Sequence, residues 1–341
     1  MREGTEPGST GDRRPAPNGM PRQKNACWAT LFTDARYLPC LAVFAQSLAR
    51  HGSRYPLVVM VTEQVDPATR AILVKLGCTL RNIRHWDMDI GNDAMAFARF
   101  TNVWTKLRAF ELTEYERVVL VDSDMLVCRN MDELMDVPLG TPERPAIAAG
   151  FACTCNPNRI PTYPSDWIPA NCAFTPQSAP ACHTQPPVLT RDSARTHHLL
   201  NGGLVVLEPS EAQVEALAAF VATHRARLAT YRFPDQDLLA DLYFGRFLPL
   251  PWKYNALKTL PRCHPALWSD DEVCNVHYIL DKPWATGWPG PPDRDADAHL
   301  HGWWWAAYHA LQREPARAGL TTDEWATHVA IHVHDAPRRG P

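Results

Sequence analysis

Short apolar runs and amphipathic stretches alternate along the first half of the chain. Three of the runs have the length of a strand and few polar residues: Ala26–Thr33, Leu57–Thr62 and Val118–Val121. Between the first two, apolar residues recur at helical spacing over residues 41–48. Apolar strands that alternate with helices are typical of a parallel sheet covered on both faces. The pattern predicts an α/β fold, with a Rossmann-like, mostly parallel central sheet flanked by helices in a single domain.

The regular pattern stops between residues 150 and 198, where Pro, Cys, Asn and Thr are frequent and no period is visible. It returns with a strand at Gly203–Leu207, a helix at about Asp235–Phe244 and a helix around Trp303–Gln312. A long irregular segment in a compact domain is more often functional than decorative. We therefore expect residues 150–198 to be an insertion that shapes the acceptor side of a cleft. The cluster Trp303-Trp304-Trp305 is expected to pack onto the domain rather than to line an acceptor site.

Residues 1–24 are rich in Gly, Pro, Arg and Ser, which predicts a disordered leader. We expect the main domain over residues 25–290, and a C-terminal helix with a polar tail over residues 291–341. No apolar stretch approaches the roughly 20 residues that a membrane helix needs, so no membrane span is expected. The N-terminus also lacks the apolar core of a signal peptide, which favours a cytoplasmic location.

Composition narrows the class of partner. Of the 341 residues, 45% are hydrophobic and 21% are charged, which is ordinary for a soluble globular protein. The formal net charge is −3 and no long basic run is present, so a nucleic-acid partner has no electrostatic support. The oligomeric state is left open, a homodimer included.

Four of the ten cysteines fall in the irregular segment, namely Cys153, Cys155, Cys172 and Cys182. A zinc site or disulfides would account for such a cluster. However, the spacing of Cys153 and Cys155 is not that of a zinc knuckle. We therefore favour unpaired, loosely placed thiols in a long loop.

Asp122-Ser123-Asp124 directly follows the apolar run Val118–Val121. Carboxylates at positions i and i+2 of an extended backbone project to the same side, and the carboxyl end of a parallel strand is where α/β sheets bind ligands. Two hard oxygen ligands suit Mn²⁺ or Mg²⁺ carrying a diphosphate. The alternatives are a pair of aspartates that cap the next turn, and a haloacid-dehalogenase-type phosphatase with Asp122 as nucleophile. The latter motif belongs near the start of its domain, whereas here about three βα units precede it.

Other polar positions carry two interpretations each. Thr33, Asp34 and Tyr37 end the first strand, where they could meet a base and ribose or only form a turn. Asn201-Gly202-Gly203 allows close approach of backbone to a ligand, or is a simple turn. Asp235 contacts sugar hydroxyls or is only a helix N-cap. Lys106 could pair with an acid or a phosphate, although a solvated lysine is the default. His277 could complete a metal site, with Lys282 on a diphosphate.

Taken together, these residues resemble glycosyltransferase family 8, the group that includes glycogenin, galactinol synthase and bacterial galactosyltransferases. The resemblance covers roughly residues 25–285, and its specific part is the order of the motifs. That order is Leu31-x-Thr33-Asp34-x-x-Tyr37, Lys106, Asp122-Ser123-Asp124, Asn201-Gly202-Gly203, Asp235-Gln236-Asp237, Trp252-Lys253-Tyr254-Asn255, and His277 through Trp284.

The resemblance implies a GT-A fold, a UDP-sugar donor and retention of anomeric configuration. It implies Mn²⁺, or Mg²⁺ in its place, held by Asp122, Asp124 and His277. The remaining members of the donor site would be Leu31, Thr33, Asp34 and Tyr37 at the uridine, Ser123 at the ribose, Lys106 at the sugar, Asn201, Gly202 and Gly203 beside the donor, and Lys282 at the diphosphate. Asp235 and Gln236 would be the catalytic pair, with Gln236 near the anomeric carbon.

The last motif departs from the family pattern. Leu280 stands where the family usually has Gly, and Lys282 comes one residue early. This departure affects a backbone contact to the diphosphate and the reach of Lys282. The insertion has no obvious family counterpart. The resemblance therefore does not identify the acceptor, which is a carbohydrate, a polyol or a protein.

Three functions therefore stay open at this stage. They are transfer of a hexose from UDP-glucose, UDP-galactose or UDP-GlcNAc to a hydroxyl acceptor, a phosphatase, and a nucleotide-sugar-binding protein without turnover.

Overall fold

A computed structural model describes residues 24–86, 98–141, 144, 146–287 and 295–334. The predicted leader, apart from Lys24, and the end of the predicted polar tail lie outside these residues.

A seven-stranded sheet forms the centre of the fold, with strands in the order β3-β2-β1-β4-β7-β6-β8. Neighbouring strands are parallel except where β7 meets β4 and β6. The bounds are β1 Ala26–Phe32, β2 Leu57–Val61, β3 Thr79–Asn82, β4 Arg117–Val121, β6 Ile147–Phe151, β7 Leu200–Leu207 and β8 Phe247–Pro249. A three-stranded sheet of β5 (Met125–Val127), β10 (Asn275–His277) and β9 (Ala256–Leu257) lies beyond the end of β4.

The central strands coincide with the apolar runs. Every residue of β2 and β4 is buried, as expected for inner strands whose two faces are both covered. The predicted mostly parallel sheet is confirmed. The sequence did not reveal that β7 runs against its neighbours, because an apolar run carries no mark of its direction.

Helices cover the sheet, with the bounds α1 Leu38–Arg50, α2 Pro67–Lys75, α3 Glu211–Thr223, α4 Arg225–Leu228, α5 Pro234–Leu242, α6 Leu260–Cys263, α7 Pro283–Thr286, α8 Ala298–Arg313 and α9 Thr322–Glu324. The side chain of Asp66 caps α2 by accepting from the Thr69 N–H. Gly77 follows α2 at φ +83°, a conformation that suits glycine. A 3₁₀ helix spans Ala98–Glu111 and precedes β4.

The reversed direction of β7 positions the functional groups. Because β7 is antiparallel to β4, its first residues lie beside the last residues of β4. The Asp122 N–H donates to the Gly203 carbonyl at 2.8 Å. β10 pairs with β5 just after the Asp pair and ends at His277. Residues far apart in sequence therefore meet at one edge of the sheet.

Two further segments complete the fold. Residues 152–199 hold only three short 3₁₀ helices between β6 and β7. In α8, Trp304 and Trp305 are fully buried, and Trp304 lies 5.5 Å from Trp284 between ring centroids. The tryptophan cluster thus packs onto the domain, as predicted. Among the described helices, none is both long and apolar enough to cross a membrane.

Candidate active site

A cleft of about 930 Å³ opens at the edge of the sheet where β1 and β4 end and β7 begins. The structure brings all of the sequence-predicted site residues to its walls. They are Leu31, Thr33, Asp34, Tyr37, Lys106, Asp122, Ser123, Asp124, Asn201, Gly202, Gly203, Asp235, Gln236, His277 and Lys282.

The two aspartates after β4 and His277 converge on one point of this cleft. The Nε2 atom of His277 lies 3.4 Å from Asp124 Oδ1 and 3.7 Å from Asp122 Oδ2. One ligand atom from each of the three residues fits within 4.8 Å of the others. Asp124 and His277 are buried, whereas about a third of the Asp122 side chain is exposed. Two carboxylates and an imidazole at these distances form a suitable set for a divalent cation.

A chain of hydrogen bonds decides which nitrogen of His277 faces the carboxylates. The Gly203 N–H donates to Asn201 Oδ1 at 3.0 Å, which fixes that atom as the amide oxygen. Asn255 Nδ2 donates to the same oxygen at 2.9 Å, so Asn255 Oδ1 faces His277 Nδ1, also at 2.9 Å. The Nδ1 atom must therefore carry the proton. In the neutral ring Nε2 is then a lone pair directed at the aspartates, the orientation that a metal-binding histidine requires.

The two glycines at the start of β7 make room for the neighbouring functional side chains. A Cβ at Gly203 would lie 2.2 Å from His277 Cε1, and a Cβ at Gly202 would lie 2.8 Å from Asp235 Oδ2. Neither glycine has a positive φ, so close approach is the reason for glycine here. The interpretation of this motif as a simple turn does not explain these contacts.

Lys106 is buried, contrary to the default expectation of a solvated lysine. Its ammonium donates to Asp122 Oδ1 at 2.6 Å, to the Gly202 carbonyl, and to Asp235 Oδ2 at 3.3 Å. Burial raises the pKa of Asp235, and the positive charge of Lys106 opposes this rise. Lys106 thus joins one predicted metal ligand to the predicted catalytic carboxylate. Of the two predicted partners, an acid or a phosphate, the structure shows the acid.

The helix-cap interpretation of Asp235 is wrong. The N-cap of α5 is Phe233, whose side chain makes no cap hydrogen bond, and Pro234 follows it. Asp237 has the structural role instead, because its Oδ2 accepts from the backbone N–H groups of Arg232 and Phe233 at 3.0 and 2.9 Å. Burial raises the pKa of Asp237 to about 7. Asp235 is therefore available to the cleft.

Lys282 contacts Asp124 Oδ2 and donates to the Tyr278 carbonyl at 2.8 Å. Burial acts to raise the pKa of Asp124, but the nearby Lys282 and His277 outweigh it and hold the pKa well below the usual range. Leu280, in the position where the family usually has Gly, has a φ of +63°. The backbone thus keeps the left-handed conformation that glycine favours, even though a leucine must adopt it here.

The residues after β1 form another part of the cleft wall. Asp34 accepts from the Arg36 N–H at 2.9 Å and pairs with the Arg36 guanidinium, so it holds its own turn. Tyr37 packs edge-on against Trp284, with ring centroids 5.8 Å apart. Ser123 is buried, and its Oγ lies 3.8 Å from Cys40 Sγ. Thr33 and Leu31 also line this side.

An aromatic cluster on the wall of the cleft was not predicted. The rings of Trp167 and Phe233 stack with centroids 4.9 Å apart and planes 4° from parallel. The Tyr163 ring lies edge-on to both, at 5.1 Å from each. Two of the three residues come from the irregular insertion and the third from the N-terminus of α5, so no local pattern could reveal the cluster. All three line the cleft.

Residues 29–287 match the sequence model of glycosyl transferase family 8. The chain belongs to glycosyl transferase family 8. Galactinol synthase 7 of Arabidopsis thaliana is 29% identical to it over 310 residues, which is 88% of this chain and 87% of the relative. Galactinol synthase 1 of Ajuga reptans is 27% identical over 279 residues, or 80% of this chain and 78% of the relative.

Solved structures of other glycosyltransferases share the fold. The galactosyltransferase LgtC, solved with donor and acceptor sugar analogs, superposes with a TM-score of 0.54 at 17% identity, covering 86% of this chain and 99% of LgtC. The apo form of GlyE from Streptococcus pneumoniae TIGR4 has a TM-score of 0.55 at 16% identity, covering 89% of this chain and 64% of GlyE. The predicted GT-A type fold is confirmed.

The family 8 protein is thus an enzyme of the hexosyltransferase class, as predicted. Family membership leaves the phosphatase interpretation of Asp122 and the interpretation as a binding protein without turnover unsupported.

Sequence reasoning missed Asn255 as a positioning residue, although it stands in one of the quoted motifs. Its partners Asn201 and His277 are 54 and 22 residues away.

Proposed function

We propose that this glycosyltransferase is metal-dependent and moves a hexose, with retention of configuration, from a UDP-sugar to a hydroxyl acceptor. The observation that carries the proposal is the convergence of Asp122, Asp124 and the Nε2 atom of His277 at the carboxyl end of β4. Two carboxylate oxygens and an imidazole nitrogen at these distances form a ligand set that a divalent cation would join.

Mn²⁺ is the ion that we assign to these three residues, with Mg²⁺ as the alternative hard cation. When bound there, it would supply positive charge to the diphosphate of the donor. Lys282 supplies a second positive charge. Its ammonium contacts Asp124 and lines the cleft, so a diphosphate beside Asp124 would lie within its reach.

The wall formed after β1 is the proposed nucleotide site. Thr33 and Tyr37 face the cleft where the uridine would lie, with Leu31 beside them and Ser123 next to the ribose. Asp34 also lines the cleft, but its carboxylate already pairs with Arg36. Asp34 would therefore contribute to uridine binding by fixing this turn.

Asp235 and Gln236 are the proposed catalytic pair at the donor sugar. Asp235 holds its carboxylate in the cleft through Lys106, and Gln236 Oε1 accepts from the Gly202 N–H at 3.4 Å. A fixed carboxylate beside the anomeric carbon orients sugar hydroxyls and stabilises positive charge that develops as the donor bond breaks. Departure of the diphosphate and attack of the acceptor on the same face would give retention.

The acceptor side is assigned to the aromatic cluster of Tyr163, Trp167 and Phe233. Aromatic faces suit the apolar faces of sugar and polyol rings, and the cluster lies in the same cleft as Asp235. The relatives quoted above are named galactinol synthases. Galactinol, a galactoside of inositol, is therefore the first product to test.

The experiment is a product assay with UDP-galactose, UDP-glucose and UDP-GlcNAc, each with inositol and with Mn²⁺ or EDTA. We expect one UDP-hexose to give UDP and a glycoside with the anomeric configuration of the donor, only when Mn²⁺ is present. The same assay compares Asp235→Asn, which should lose turnover, with Asp237→Asn. The latter is the matched control, because Asp237 lies on the same helix and its carboxylate accepts from backbone N–H groups. Equal turnover in EDTA, or an inverted product, would refute the mechanism.

A further inference from the structure

Three cysteines of the irregular insertion meet one histidine from a distant part of the chain. Cys153 and Cys155 follow β6, Cys172 ends a 3₁₀ turn, and His264 ends α6. His264 Nε2 lies 3.6, 3.2 and 3.4 Å from the sulfur atoms of Cys153, Cys155 and Cys172. All four ligand atoms lie within 4.8 Å of one another. The expectation of loosely placed thiols is therefore wrong for three of the four cysteines in this segment.

Neither disulfides nor simple hydrogen bonds explain this geometry. The sulfur atoms of Cys153 and Cys172 are 4.0 Å apart, about twice the length of a disulfide bond, and all ten cysteines are free. A single imidazole nitrogen can donate or accept one good hydrogen bond, yet three sulfur atoms surround Nε2 of His264. The arrangement instead has the form of a coordination shell.

We propose that Cys153, Cys155, Cys172 and His264 form a structural zinc site. Zinc–sulfur bonds of about 2.3 Å and zinc–nitrogen bonds of about 2.0 to 2.1 Å place tetrahedral ligands about 3.8 Å (sulfur to sulfur) and about 3.6 Å (sulfur to nitrogen) apart. The observed sulfur–sulfur distance is 4.0 Å and the sulfur–nitrogen distances are 3.2 to 3.6 Å. Three thiolates with one imidazole are a structural zinc set with no open position for substrate.

The zinc site differs in chemistry and place from the site at Asp122, Asp124 and His277. Carboxylate oxygens favour Mn²⁺ or Mg²⁺, whereas thiolates favour zinc. The zinc site holds the start of the insertion, with Cys153 itself on the wall of the cleft. By joining β6, the middle of the insertion and α6, zinc would fix the segment that carries Tyr163 and Trp167.

The first test is the metal content of the full-length chain, purified without chelator and measured by mass spectrometry of the elements. We expect about one zinc per chain in the wild type and in Asp124→Ala, which removes a ligand only from the oxygen-rich site. Cys172→Ser should lose zinc, whereas Cys182→Ser, in the same segment but outside the ligand set, should keep it. Loss of zinc from Asp124→Ala with retention by Cys172→Ser would overturn the assignment.

Cys263 needs its own variant, because its thiol also interacts with Cys153 and Cys155 although it is not one of the four converging ligands. We expect Cys263→Ser to keep zinc and His264→Gln to lose it or bind it much more weakly. The reverse result would overturn the proposed ligand set.

A second measurement uses only the folded wild type, so it remains informative if a variant fails to fold. Alkylation followed by peptide mass spectrometry should find Cys153, Cys155 and Cys172 protected and Cys182 modified. Chelation should expose the three ligands to alkylation, and added Zn²⁺ should restore protection. Replacement by Co²⁺ should give the visible absorption of a tetrahedral thiolate complex. Fewer than about 0.1 zinc per chain, with no uptake by the reduced protein, would refute the site, as would a disulfide among the three cysteines.

Discussion

The close contact between Gly203 and His277 gives a sharp test of the oxygen-rich metal site. In Gly203→Ala the new Cβ would lie 2.2 Å from His277 Cε1 and 2.6 Å from His277 Nδ1, whereas ordinary contacts begin at 3.4 Å. The ring must therefore move by about 1.2 Å. Such a shift would break the 2.9 Å hydrogen bond from Nδ1 to Asn255 and turn Nε2 away from the aspartates.

The expected loss follows from the role of Asn255. Removing the partner that orients a metal-binding histidine typically weakens metal affinity by about 10- to 100-fold, or about 1.4 to 2.7 kcal/mol. We expect this loss for Gly203→Ala in a Mn²⁺ titration of the UDP complex followed by calorimetry. Overpacking should also lower the melting temperature by several degrees, so binding is measured well below it.

Two other glycines provide matched controls. A Cβ at Gly202 meets Asp235 Oδ2 at 2.8 Å, so Gly202→Ala should impair turnover while Mn²⁺ affinity stays within about threefold of wild type. A Cβ at Gly150 would meet only Asn255, at 3.6 Å or more, so Gly150→Ala should leave both quantities nearly unchanged. Normal Mn²⁺ affinity in Gly203→Ala would refute the assignment of His277 as a ligand.

Three further predictions concern the neighbouring side chains. Asp235→Asn should lower the transfer rate by roughly 100-fold with a melting temperature within about 2 °C of wild type, because Lys106 keeps Asp122; a normal rate would remove Asp235 from the chemistry. Asp237 has its pKa raised from 3.8 to about 7 by burial, so the folded state loses stability relative to the unfolded state as pH rises through that window. Asp237→Asn should therefore gain stability relative to wild type as the pH rises from about 4 to about 7, and melting curves showing a constant difference over that range would contradict this. Tyr163→Leu should slow transfer to the acceptor yet spare hydrolysis of the donor, and an equal loss of both rates would exclude a role confined to the acceptor.

The sequence was informative where chemistry and structure are both local. Continuous apolar runs such as Leu57–Val61 predicted strands covered on both faces, and every residue of this strand is buried. The Asp122-Ser123-Asp124 motif was recognisable because a strand that ends in two carboxylates needs a partner for their charge. The order of weaker motifs then located His277 and Lys282, about 160 residues further along the chain.

The features that were missed depend on contacts between distant segments. Nothing near Lys106 signals that Asp235 will meet it across 129 residues. The zinc ligands have no recognisable spacing because His264 comes 92 residues after Cys172. Asp235 was also open to interpretation as a helix cap, because only the structure places Phe233 at that position. In each case the fold, rather than local propensity, decides which groups touch.

The most direct test of the proposed mechanism is calorimetry of UDP binding with and without Mn²⁺, in the wild type and in Asp124→Ala. For the wild type we expect Mn²⁺ to strengthen UDP binding by roughly tenfold or more, the scale of a direct coupling between two ligands. For Asp124→Ala we expect no such gain, with zinc content unchanged as evidence of an intact fold. Equal strengthening by Mn²⁺ in both proteins would contradict a metal held by Asp122, Asp124 and His277.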